Sequence, residues 1–401
     1  MEDEKPTNPN KMLSYGLFLM TLTHVLTHVF GPLFTASFPL IREEFSLSIP
    51  QLGLIAAIPP LIQSLLSIPA GMLTDKIGSK KMLFVSLFVA LAGSLAAAIS
   101  SNPLMLIIAV SLVQLNTTIY HPASYSYVTR RFRGGNRPMA LGIHGAGGTL
   151  GMALGPLTLG VFLGSLGLGW RQVYMFWAIP LLVGTFMSIK LEPDVANDPD
   201  ENGLNSEPVE AGAPTSLLTK SMAIFLIYMC VRTIGWSMVG TFMPLFIVDE
   251  KNFTAVDMNY IYGLAGMTGL ISAPIGGVLA SKYGSKNWLA VSIGLMVVLL
   301  GVVAIVPGGI LFVVVYIIYR FSMTLGMAAR SNLVAKLTPS GQRGVGYALL
   351  FLPGSLMGAF SPMIAAYIIE NFGMNTLFPI SMGIYVVSLF ILVFILKEPP
   401  D

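Results

Sequence analysis

Charge is what this sequence most lacks. Only 10% of its 401 residues are Asp, Glu, Lys or Arg, against about 25% in soluble domains. Cysteine is nearly absent: the single Cys230 excludes a disulfide within the chain and reads as a small apolar packing residue. No glycine-rich nucleotide-cradling loop occurs, so ATP hydrolysis is excluded as an energy source. No nucleophile is accompanied by a base and an orienting group, so enzymatic activity is not expected. No cofactor is implied, and the net charge of +3 makes no case for a nucleic-acid partner. A cleavable leader is not expected either, because the start, Glu2-Asp3-Glu4-Lys5, is polar and the first apolar run is too long for one.

What is present is apolar sequence, 54% hydrophobic overall. Twelve runs stand out, with cores at 12–40, 52–74, 82–100, 104–127, 138–166, 170–190, 218–248, 258–280, 288–306, 309–335, 344–369 and 376–396. A bilayer needs about 20 residues per helical span, and unalternating runs of this length do not suit barrel strands. The expected fold is an all-α membrane protein of twelve transmembrane helices in two six-helix bundles. Lys and Arg fix its orientation. With the N-terminus inside, only Arg42, Arg171 and Lys251 fall outside and Arg232, Arg320 and Arg330 fall within spans, leaving 16 of the 22 basic residues inside. Both termini are therefore expected in the cytoplasm, with the chain in the cell membrane. The stretch 192–219 carries seven acids and almost no bulky apolar residues, so it reads as a flexible cytoplasmic linker between 1–191 and 220–401.

The two halves repeat. Gly71-Met72-Leu73-Thr74-Asp75-Lys76-Ile77-Gly78-Ser79-Lys80-Lys81 returns 206 residues later as Gly277-Val278-Leu279-Ala280-Ser281-Lys282-Tyr283-Gly284-Ser285-Lys286-Asn287. The same offset carries Gly135, Arg137, Gly148 and Pro156 onto Gly341, Arg343, Gly354 and Pro362. Paired repeats of several spans are the architecture of transporters, with the substrate held between them near mid-bilayer.

Gly71, Asp75, Gly78, Lys80 and Lys81 resemble the loop signature between the second and third spans of the major facilitator superfamily. Gly151 through Pro156 resembles the glycine-proline motif of its antiporters. A narrower likeness, to fosmidomycin-resistance-type efflux proteins, is carried by Leu22-Thr23-His24, Glu44-Phe45-Ser46-Leu47-Ser48, Tyr120-His121-Pro122 and Gly147-Gly148. This chain departs from that pattern at His28 and Ala123, where those proteins carry acids. The resemblance implies alternating access, with the first, fourth, seventh and tenth spans lining a central cavity. It offers Asp75 as a gating latch, with Gly71 and Gly78 shaping its loop; the competing reading is a basic loop that only sets topology. The stripe Gly145, Gly148, Gly151 and Gly155 allows close helix approach.

Every acid falls outside the membrane interior, but three arginines do not. Arg232 lies about 13 residues into the seventh span, about 20 Å deep at 1.5 Å per residue, and Arg320 is at similar depth. A mid-membrane Arg facing lipid costs between about 3 and 10 kcal/mol, so both are expected to face a cavity. Arg330, nearer the inner end, is expected to snorkel to the interface. Guanidinium groups without carboxylate partners suit a carboxylate or phosphate. The expected substrate is a small organic anion or an anionic amphiphile, bound by Arg232, Arg320, Gln114, Asn116, Tyr316 and Trp236. The competing reading has each Arg held structurally by tyrosines such as Tyr228, Tyr316 and Tyr319.

The four histidines, His24, His28, His121 and His144, all lie in the first half. His24 and His28 share a helix face at i and i+4. Without a membrane acid they are the groups able to change charge near neutral pH. Proton coupling by His28, His24 and His121 is the leading reading and structural hydrogen bonding the second. A transition-metal site is third, because no carboxylate or thiolate joins them. His144, set among glycines, reads as structural. The expected partners are a small-molecule substrate, protons and the lipid bilayer, and the chain is expected to be a monomer. Drug efflux of the fosmidomycin-resistance type and a non-transporting membrane sensor are the alternatives.

Overall fold

The computed structural model describes residues 14–132, 136–192, 219–338 and 343–397. The expected linker lies almost wholly outside them. Among the described residues twelve helices are long and apolar enough to cross a membrane. They are Tyr15–Ala36, Ile49–Ser67, Ser79–Ala98, Pro103–Arg131, Met139–Gly164, Trp170–Ile189, Lys220–Glu250, Ala255–Tyr283, Ser285–Ile305, Ile310–Val334, Leu352–Phe372 and Met374–Ile395, here numbered as the first to twelfth spans. Every expected run is matched.

Local chemistry sets the ends. The first run, expected to reach residue 40, stops at Ala36; Ser37 donates its hydroxyl to the Leu33 carbonyl at 2.7 Å, and a separate short helix, Phe38–Phe45, follows. The second span opens with a capping box, the Ser48 N–H donating to Gln51 Oε1 at 2.8 Å, which satisfies an otherwise orphaned donor. Two spans are interrupted. The eighth breaks at Thr268, between Ala255–Met267 and Gly269–Tyr283. The tenth breaks at Gly326, between Ile310–Leu325 and Met327–Leu337.

The repeat is structural as well as sequential. Gly78 and Gly284 end the two equivalent helices with φ of 86° and 83° and ψ of 156° and 142°. That region is open essentially to glycine alone. The serine after each, Ser79 or Ser285, is 2% exposed and starts the next helix.

The halves meet through the second span against the eleventh and the fifth against the eighth. At one end these pairs touch closely. A Cβ at Gly53 would lie 2.5 Å from Ala366 Cβ, and one at Gly263 would lie 2.6 Å from Leu157. Followed down the same faces at helical spacing, contact ends: Gly71, Gly142, Gly145 and Gly354 have nothing within 4 Å of a Cβ position. The spans therefore diverge like the arms of a V, closed at one end and open at the other.

The closed end carries an ion pair between the halves. Arg42 donates through both terminal nitrogens to Asp249, at 2.5 and 2.8 Å. The bond to this carboxylate raises the Arg42 pKa further above its ordinary value, so the guanidinium stays charged at every working pH. Arg171 and Glu44 form a second pair at 2.6 Å within the first half.

Candidate functional site

Two polar clusters lie inside the bundle. The first is made of imidazoles on the first, fourth and fifth spans. His28 lies 4.7 Å from His24 and 5.2 Å from His121, centroid to centroid. His144, expected to be structural, joins the cluster by stacking on His24 at 4.0 Å with the rings 13° from parallel. A signal for this was available. His144 shares a helix face with Gly148, Gly151 and Gly155, and that face packs on the first span. A Cβ at Gly148 would sit 2.7 Å from His24 Cε1 and 3.0 Å from His28 Cδ2, so the missing side chain is the space the rings occupy. Gly145, grouped with that stripe, lies off it and touches nothing.

The hydrogen bonds assign the neutral tautomers. His24 Nδ1 is 2.6 Å from the His144 carbonyl oxygen, His121 Nδ1 is 2.8 Å from that of Thr117, and His144 Nδ1 is 3.2 Å from that of Met20. A carbonyl can only accept, so each Nδ1 carries the hydrogen and each Nε2 keeps its lone pair. His28 Nε2 is 3.2 Å from His121 Nε2 and is then the donor. His24 Nε2 and His144 Nε2 are buried without a hydrogen-bond partner.

Gln114 is two helical turns before His121 and faces the first span, its amide nitrogen 4.0 Å from a Cβ position at Gly31. Asn116 does not share that face. It is 1% exposed and donates to the Ser86 carbonyl at 2.9 Å, which ties the fourth span to the third. Two residues of helix turn it about 200° from Gln114, so it does not fit the substrate role expected of it.

The second cluster belongs to the other half. Arg232 and Arg330 are close enough for their charges to interact, with Tyr228 beside both. Tyr319 and Tyr385 are near enough to Arg232 to feel its charge. Arg330 therefore does not snorkel: it turns inward beyond the break at Gly326. Arg232 Nε, Arg330 Nε, Tyr228 Oη and Tyr385 Oη are all buried without a hydrogen-bond partner. Each such orphan costs about 1–3 kcal/mol when nothing answers it, and none of the acids at described positions lies on an interior turn of a span.

Arg320 has a different setting. Its guanidinium lies 5.3 Å from the Tyr262 ring centroid, within reach of the Tyr262 and Tyr316 hydroxyls. Tyr316 is fully buried and stacks on Phe312 at 5.9 Å, so it serves Arg320 rather than lining a cavity with its ring. Trp236, one turn beyond Arg232, is exposed. Asp75 lies on the last turns of the helix Ile49–Ile77, but its side chain is outside the described part. Gly78 is the turn that ends that helix, and Gly71 is on the open arm of the V.

Comparison with known proteins agrees with this architecture. Residues 17–330 match the family described as Major Facilitator Superfamily. A probable nitrate transporter of Staphylococcus epidermidis is 23% identical over 90% of each chain. The fosmidomycin resistance protein of Escherichia coli K12 is 25% identical over 67% of each. A crystal structure of a bacterial homologue of the human lysosomal transporter Spinster, inward-facing and unoccupied, shares the fold with a TM-score of 0.79 at 16% identity, covering 97% of each chain.

Proposed function

The chain belongs to the Major Facilitator Superfamily, and on that premise we propose that it is a proton-coupled secondary transporter of a small organic anion or anionic amphiphile. That it is a multi-pass membrane transporter and not an enzyme follows from the family. The substrate class rests on one observation: the paired Arg232 and Arg330, with unanswered Nε donors, in a membrane interior without a carboxylate at any described position. Guanidinium groups are never deprotonated in proteins, so the charge calls for an anion. A relative named for nitrate transport supports an anionic cargo.

In this reading Arg232 and Arg330 grip the anion, Tyr228 and Tyr385 supply further donors, and Trp236 can pack an apolar portion. Arg320 holds the tenth span in register through its tyrosines and adds positive field. Gln114 faces the binding region from the other half. His28, His24 and His121 couple the proton, because an arriving anion favours a charged imidazole and so links the two ligands thermodynamically. With the termini inside, as the basic loops suggest, the clasped end is extracellular and the V opens to the cytoplasm.

Asp75 is proposed as the latch of the opposite state, formed when the cytoplasmic ends close. The fosmidomycin-resistance relative keeps efflux open as the direction of transport. Reconstituted vesicles under an imposed proton gradient should accumulate an anion against its own gradient. Binding without accumulation would instead favour a sensor.

A further inference from the structure

The imidazole cluster carries more than the proton reading uses. Three of its rings, His24, His28 and His121, each place a ligand nitrogen within 4.8 Å of the other two. Two nitrogens bound to one tetrahedral zinc ion at about 2.0–2.1 Å stand about 3.3 Å apart, and His28 Nε2 and His121 Nε2 are already 3.2 Å apart.

The supporting hydrogen bonds are those a metal-ligating histidine makes. Such a residue donates its other ring N–H to a carboxylate, a backbone carbonyl or water, which fixes the tautomer and aims the lone pair. His24 and His121 both do so, to the His144 and Thr117 carbonyls at 2.6 and 2.8 Å. His24 Nε2 is buried, has no partner and shares with the His28 ring the space that a Cβ at Gly148 would fill. An orphaned, preoriented lone pair in the membrane interior is costly unless something occupies it. His144, stacked on His24 at 4.0 Å, holds that ring from behind through its carbonyl and is not itself one of the three converging ligands.

We infer that His24, His28 and His121 form a binding site for a divalent transition-metal ion, joining the first and fourth spans, with the fourth coordination position open. Three imidazoles without a carboxylate are a sufficient ligand set, as three-histidine zinc sites show, and imidazole selects zinc, copper or nickel over calcium or magnesium. The consequence for transport rests on the coupling reading above: an ion on these nitrogens requires His28 to carry its hydrogen on Nδ1 instead of Nε2 and leaves the three rings no free site for an incoming proton at Nε2, so zinc inhibits gradient-driven uptake.

Binding is tested apart from transport. Purified full-length protein is dialysed against zinc chloride, its metal content is measured, and cobalt(II) is then added to read coordination by visible absorption. One zinc per chain is expected, with the intense bands of tetrahedral cobalt. His28→Gln and His121→Gln should each weaken binding at least tenfold, His28→Cys should restore it, and Cys230→Ser should leave it intact. Thermal melts of each variant distinguish a lost site from a lost fold. Absence of stoichiometric zinc in the wild type, or equal binding in a folded His28→Gln protein, overturns the site. Either result leaves anion binding by Arg232 and Arg330 untouched, so the two readings fail separately.

Discussion

Arg42 and Asp249, 207 residues apart, form a two-pronged ion pair at 2.5 and 2.8 Å that fastens the two halves at the closed end. The short helix Phe38–Phe45 carries one partner and the end of the seventh span the other. Alternating access requires this contact to break in every cycle.

A half-exposed ion pair contributes up to about 1 kcal/mol, roughly a fivefold bias toward the state clasped here. Asp249→Asn and Arg42→Gln should each shift the protein toward the opposite opening, read as faster thiol labelling of a cysteine placed at Leu40, half-buried beside Arg42 at the closed end. The swap of Arg42→Asp with Asp249→Arg should recover part of the bias. Equal labelling in all four proteins would remove the clasp from the mechanism.

Asp75→Asn addresses the other end. If the carboxylate closes the cytoplasmic side through a charge-assisted contact, turnover should fall by tenfold or more while anion affinity changes little. An unchanged transport rate would leave the loop with a topological role alone.

Much of this arrangement was readable beforehand, and the misses have a common cause. The twelve spans follow from hydrophobic runs, and the 206-residue repeat foretold the matching turns at Gly78 and Gly284. Arg232 stood out because charge is rare in a membrane. Contacts between distant segments were harder. Nothing near Arg42 names Asp249, and Arg330 turned inward because the tenth span breaks at Gly326, a break its hydropathy does not mark. Asn116 shares the cavity-lining fourth span with Gln114, but two residues of rotation put it on another face. His144 was recoverable, since its face is the one the glycine stripe presents to the first span.

Coupling should run through imidazole. His24→Gln, His28→Gln and His121→Gln should each lower accumulation under a proton gradient at least tenfold while anion exchange at equal pH continues. His28 should show the largest loss, because it is the donor within the pair at 3.2 Å. Full gradient-driven accumulation in all three variants would transfer the coupling elsewhere.

The two arginine settings should separate experimentally. Arg320→Lys gives up its tyrosine contacts and should lower the melting temperature by several degrees. Arg232→Lys and Arg330→Lys lose the planar fork and should spare the fold but weaken anion binding tenfold or more. A melting loss confined to the Arg232 and Arg330 variants would reverse the assignment.

The central claim is an anion held by Arg232 and Arg330, and thermal-shift titration of the purified protein with matched sets of anionic and cationic compounds tests it most directly. Ligand that binds only the folded state raises the melting temperature, so anions should stabilise the wild type in a concentration-dependent way and lose most of that effect in Arg232→Lys and Arg330→Lys. Stabilisation by cations alone, or by anions equally in all three proteins, would contradict it.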